Sequence, residues 1–315
     1  MHRKAIIFGI KSTKLSVEEK SFLTKQKPWG IILFSRNIVN LEQLKFLIND
    51  IKKIFKDSNY PILIDQEGGR VSRLNKIIDF SLFSQEYFGA LYKNDKNNFF
   101  KVYQIYIDTV CHILKNIGVN INTVPVLDLR KKNSHNVIGD RSFSSDPIIV
   151  GKMGNLSVDL YNKNKIATIM KHIPGHGGTK SDSHLLTPIV KDSKKKLIGH
   201  DFKPFKICQS FYAMTAHVIY KSYDEKNVCT HSKVIIDDVI RKHINFKGII
   251  ISDDISMGAL KFSLKNNAIK ALDAGCNLIL HCNGNIEEMS KLAKIIPTID
   301  KFTQKKTEQF YKFLG

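Results

Sequence analysis

Eight short apolar runs, rich in Ile, Val and Leu, alternate along the chain with stretches of helical pattern. They cover residues 5–10, 31–34, 62–64, 121–126, 168–171, 213–215, 249–252 and 278–280. A strand of a parallel sheet is covered by helices on both faces, so it reads as continuously apolar rather than alternating. Between the runs, Ser16 and Glu19 form a capping-box pattern, and helical periodicity spans residues 41–55, 98–115, 147–163, 232–241 and 263–274. About eight β-α alternations predict a closed (β/α)8 TIM-type barrel. A single catalytic domain over residues 1–315 is expected, since such a barrel needs about 250 residues. An open doubly wound sheet is the alternative. The lack of a GxGxxG turn after the first run weighs against its dinucleotide-binding form.

Composition narrows the function classes. Hydrophobic content is 43%, but no apolar run reaches the roughly 18 residues of a membrane helix. The start, MHRKAIIFGI, reads as a first strand rather than a leader, because Lys11, Lys14 and Glu18 follow it. Five cysteines without a CxxC pair predict buried, reduced thiols and a cytoplasmic protein. The net charge is +20, yet its lysines are spread along the whole chain, so no nucleic-acid partner is expected. The densest basic run, Lys194 to Lys196, reads as a solvated helix start. A monomer is expected.

Polar residues gather just after the apolar runs: Asp65, Lys171 and His172, His217, and Asp253. In a barrel these points converge on the C-terminal face, where active sites sit. The richest segment, KHIPGHGGTKSDSH from Lys171 to His184, carries three histidines beside a glycine-rich loop. Asp182 stands two residues before His184, a spacing that lets a carboxylate orient an imidazole for acid–base work. His172, His176, Asp182 and His184 could also hold a metal, although Lys171 beside them argues against a cation. In KGIIISDDISM, Asp253 at a strand tip can attack an anomeric carbon, while Asp254 suits a helix or turn cap. In ILIDQEGGRVSRL, Asp65 with Arg70 or Arg73 beyond the Gly68-Gly69 bend suits a sugar clamp, or else Asp65 or Glu67 forms a structural ion pair with one of the arginines. NVIGDRSF leaves Arg141 with the same two readings.

With GIILFSRNI, PVLDL, MTAHVIY and DAGCNLIL in order along the chain, KHIPGHGGTKSDSH and GIIISDD resemble the glycoside hydrolase family 3 β-N-acetylhexosaminidases, closest to their single-domain bacterial type. The resemblance implies Asp253 as nucleophile and Asp182/His184 as an acid–base dyad. It implies Asp65, Arg73, Arg141, Lys171 and His172 as groups that hold the N-acetylglucosamine ring. It further implies a small carbohydrate substrate, N-acetylglucosaminyl-anhydro-N-acetylmuramic acid and its peptides, with no metal and no organic cofactor. A phosphorylase using the same intermediate, a metal-dependent barrel hydrolase and a non-catalytic sugar-binding protein are the competing readings. No motif is found after about residue 285.

Overall fold

The computed structural model describes residues 2–131, 136–176, 179 and 186–315. Eight parallel strands close into a barrel: β1 (Lys4–Gly9), β2 (Pro28–Leu33), β3 (Ile62–Ile64), β4 (Ile121–Asn122), β5 (Ala167–Ile173), β7 (Tyr212–Thr215), β9 (Ile249–Asp254) and β10 (Leu278–His281). β10 pairs with β1 to complete the ring. Two outlying strands, β6 (Ile189–Val190) and β8 (Ile219–Tyr220), form a small parallel sheet of their own. All eight apolar runs are barrel strands. Their isoleucines are shut away from water, as at Ile6, Ile62, Ile169 and Ile250, and each such side chain stabilises the fold by about 1.5–3 kcal/mol.

The surrounding helices follow from the same pattern. In α1 (Val17–Gln26) Ser16 and Glu19 close the capping box reciprocally. Asn40 caps α2 (Leu41–Phe55), which buries Leu44, Leu47, Ile48 and Ile51, one stripe at helical spacing. Asp146 and Pro147 start α5 (Pro147–Lys163). Two helices, α3 (Gln85–Asn94) and α4 (Lys96–Ile117), fill the β3–β4 connection, whereas the periodicity shows only the second. The basic run opens α6 (Lys194–Gly199), capped by Ser193 and followed by α7 (Lys203–Ile207). The expected helix at 232–241 is a run of π-type turns, Ile235–His243, and α8 (Leu264–Ala274) follows β9.

Two expectations are corrected. The fourth strand ends at Asn122, not at residue 126. Pro125 has no N–H to continue the ladder, and only Val126 rejoins it, bridging to Lys171. Cys282 is partly exposed while the other four cysteines are buried and free, because it stands just beyond β10 at the barrel mouth.

The segment without a motif forms α9 (Ile286–Ile295) and α10 (Lys301–Leu314). α10 lies across the N-terminal ends of the strands. Thr307 Oγ1 accepts a hydrogen bond from Trp29 Nε1 at 2.9 Å, and Phe310 meets Tyr212 edge-on at 5.9 Å. Tyr311 accepts a bond from Arg3 at 2.8 Å. α10 thus packs over the floor of the barrel, and a cavity of about 260 Å³ lined in part by Tyr212, Gly248, Lys306 and Gln309 remains beside it. No helix among the described residues is long and apolar enough to cross a membrane.

Candidate active site

A cavity of about 90 Å³ opens at the C-terminal ends of the strands, lined in part by Asp65, Arg141, Lys171, His172 and Asp253. These are residues from four different strand ends or the loops after them. Convergence of this kind is a property of the barrel, since every parallel strand delivers its last side chains to one face.

Asp65, just past β3, is held from three sides. Its Oδ1 accepts from Thr123 Oγ1 at 2.6 Å and from Lys171 Nζ at 2.5 Å, and its Oδ2 accepts from Arg73 at 2.6 Å. Burial alone would raise its pKa, but Lys171 and Arg73 outweigh that and hold the carboxyl far below the ordinary range. The arginine that reaches Asp65 is Arg73. Arg70 turns instead to Asp140 and to the carbonyls of residues 136 to 138. The bend that separates them needs glycine: Gly68 and Gly69 both have positive φ, and a Cβ on Gly68 would lie 2.3 Å from the Phe83 carbonyl oxygen.

Lys171 also pairs with Glu67, Nζ to Oε1 at 2.6 Å, and donates to Thr123 Oγ1 at 3.0 Å. Arg141 grips the same Glu67 with two bonds of 2.8 Å, from Nε and from one terminal nitrogen. Burial acts to raise the Glu67 pKa, and the two cations overcome it and depress the group.

His172 leans on a buried carboxylate. Asp128 Oδ2 is 2.7 Å from its Nδ1, and the two Asp128 oxygens also accept the backbone N–H groups of His172 and His176 at 3.2 and 2.6 Å. Burial, then the neighbouring His172, lowers His176 to a pKa of about 4, so this ring is neutral at physiological pH.

Asp253 closes β9. Burial raises its pKa, but the His172 and His217 rings, the backbone N–H of Asp254 and Lys171 bring it below the ordinary value. That N–H donates to Asp253 Oδ1 at 2.8 Å. Asp254 looks away into the following turn, where its carboxylate accepts from the N–H and hydroxyl of Ser256 at 3.1 and 2.8 Å. His217 is held on both nitrogens, by Thr230 at 2.7 Å and by the Asp254 carbonyl at 3.0 Å. Asp182 and His184 lie outside the described residues. Among the described residues no three His, Cys, Asp or Glu side chains group as a metal site.

Comparison with known proteins decides the family. The model of the glycosyl hydrolase family 3 N terminal domain matches residues 4–310. The chain belongs to glycosyl hydrolase family 3. The β-hexosaminidase of Hydrogenovibrio crunogenus is 34% identical over 297 residues, covering 92% of this chain and 82% of that protein. That of Haemophilus influenzae is 33% identical over 289 residues, covering 89% and 79%. NagZ from Neisseria gonorrhoeae, solved in complex with N-trifluoroacetyl-D-glucosamine, matches with a TM-score of 0.87 at 29% identity, covering 98% of this chain and 90% of that one. The protein is thus a glycoside hydrolase, a β-N-acetylhexosaminidase, and its substrate is a small carbohydrate.

Two members of this family 3 site escaped sequence reasoning as functional groups. Glu67 stood only as one side of a possible ion pair, and Asp128 only as a letter of PVLDL. Asp128 carries a signal like that of Asp65, a bare carboxylate directly after the apolar Val126 and Leu127, and could have been found by it even though it lies beyond the end of β4. Glu67 could not, because its partners Arg141 and Lys171 are 74 and 104 residues away in sequence.

Proposed function

We propose that this family 3 enzyme is a retaining exo-β-N-acetylglucosaminidase. It removes terminal non-reducing N-acetylglucosamine from N-acetylglucosaminyl-β-1,4-anhydro-N-acetylmuramic acid and its peptides. It acts as a monomer in the cytoplasm, in the recycling of cell-wall fragments. The observation that carries the reading is Asp253, a carboxylate held ionised at a strand tip, open to a cavity ringed by sugar-compatible donors and acceptors. The N-trifluoroacetyl-D-glucosamine bound by the Neisseria protein supports the choice of sugar.

The chemistry is a double displacement. Asp65, Arg73, Arg141, Lys171 and His172 hold the ring. An Asp253 oxygen attacks the anomeric carbon as the bond to the leaving oxygen breaks, and His184 gives that oxygen its proton. The sugar is then an ester of Asp253. His184, now neutral, takes a proton from water, whose oxygen attacks the anomeric carbon and frees the carboxylate. Two inversions leave the β configuration. Asp182 orients and charges His184 throughout.

The test is turnover of a chromogenic β-N-acetylglucosaminide, with the first-formed sugar followed by proton NMR. The β anomer should appear first and mutarotate later. The α anomer as first product would overturn the covalent route.

A further inference from the structure

We propose that Glu67 is the positioning residue for sugar affinity in this site: it holds Arg141 and Lys171 where they meet the ring, without touching the sugar itself. The proposal rests on the reading of Arg141 and Lys171 as sugar-binding groups.

Glu67 does not line the cavity, while Arg141 and Lys171 both do. Its side chain is only 1% exposed, so nothing in solution can take over its bonds. Its two oxygens receive three charge-assisted bonds: Arg141 Nε and a terminal nitrogen at 2.8 Å each, and Lys171 Nζ at 2.6 Å. The paired grip fixes the plane of the guanidinium as well as its distance. The remaining Arg141 nitrogen donates to the Val137 carbonyl at 3.1 Å, which locks the fork from its other end. A planar group held along two edges presents its free N–H directions to the cavity in one orientation, which ring hydroxyls need.

The second consequence concerns Asp65. Lys171 divides its three protons among Asp65, Glu67 and Thr123. Take the charge from Glu67 and Asp65 is the one carboxylate left to the ammonium. That carboxylate then has less capacity to accept sugar hydroxyls. Arg141 meanwhile loses its carboxylate partner while still buried, an arrangement that costs more than the pair itself contributes. Both changes weaken binding of the ring. Asp253 feels Lys171 only after His172, His217 and the Asp254 N–H, so the change there is the smaller one.

Glu67→Gln should therefore raise KM, and the inhibition constant of free N-acetylglucosamine, together by about 10–100-fold, the effect of losing one charge-assisted hydrogen bond, with kcat changed far less. Arg141→Met should raise both as well. In the double variant the two effects should fall well short of multiplying, because they report one interaction. Should Glu67→Gln not fold, Glu67→Asp takes its place: it keeps the charge but is too short for the paired grip, and the same joint rise is expected. Wild-type KM and inhibition constant in the Glu67 variant, with Arg141→Met impaired, would overturn the proposal, as would full multiplication in the double variant. If Arg141→Met itself binds N-acetylglucosamine like the wild type, it is the sugar-binding reading that fails.

Discussion

Asp128 and His172 form a buried carboxylate–imidazole pair, 2.7 Å apart, and the same carboxylate accepts the backbone N–H of His172. Ring and backbone are thus pinned by one group. His172 is the first of the charges that hold Asp253 down against burial. An amide at position 128 removes the carboxylate that pins this ring beside Asp253. Asp128→Asn should lower kcat/KM about 10–100-fold, the effect of losing one hydrogen bond to a charged group, and move its acidic limb to higher pH. An acidic limb that stays where it is would show that the pair has no electrostatic reach to Asp253.

Asp253→Asn should abolish turnover with little change in thermal stability. Losing an attacking carboxylate removes several kcal/mol of transition-state stabilisation, on the order of 10⁴-fold or more in kcat. The amide keeps the shape, and the Asp254 N–H can still find an oxygen. Near-normal kcat would shift the role to Asp254, despite its engagement with Ser256.

Stability should fall with pH in two stages. His176, His217 and His231 are all depressed by burial, His176 and His231 to about 4. Between pH 6.5 and about 4 the unfolded chain therefore binds protons that the folded chain refuses, and stability is lost as pH drops. Asp65, Glu67, Asp128 and Asp253 have depressed pKa values too. Their contribution is complete above the unfolded carboxylate range and is lost only below about pH 4. Chemical denaturation across pH 3–8 should show both stages, and a His176→Gln variant should flatten the first. A profile level from pH 6.5 to 4 would contradict it.

His184→Ala should discriminate between substrates. An activated aryl alcohol leaves without an acid, so the first step is nearly spared, whereas a sugar alkoxide needs the proton. Loss of the base in the second step should let the glycosyl ester on Asp253 accumulate. Intact-mass spectrometry should show a hexosamine adduct and rapid quench a burst of aryl alcohol. If the variant cleaves the disaccharide like the wild type, the dyad assignment fails.

The parts of this molecule written in local pattern were legible, and the parts written in distant pairing were not. The strands at 62–64 and 249–252 announce themselves because both faces are buried, and Asp65 and Asp253 stand out as charges at their ends. α10 gave no such signal. It is a polar helix that buries Thr303 and Thr307 beside Phe310, and its apolar stripe is too thin to read without knowing that Trp29 and Tyr212 wait beneath it. The choice between clamp and ion pair at Asp65 was likewise undecidable from spacing, because the group that matters most to it, Lys171, lies 106 residues on.

The helix over the barrel floor has a bearing on synthesis. α10 follows every strand in the chain, so the floor aromatics Trp29 and Tyr212, both buried in the finished fold, lack its cover on the ribosome until after the eighth strand has emerged. For that interval the nascent chain carries a sticky aromatic ring at one end and a charged mouth at the other. Chaperones that recognise apolar surface would find their grip on the floor, at the end of the barrel opposite the substrate.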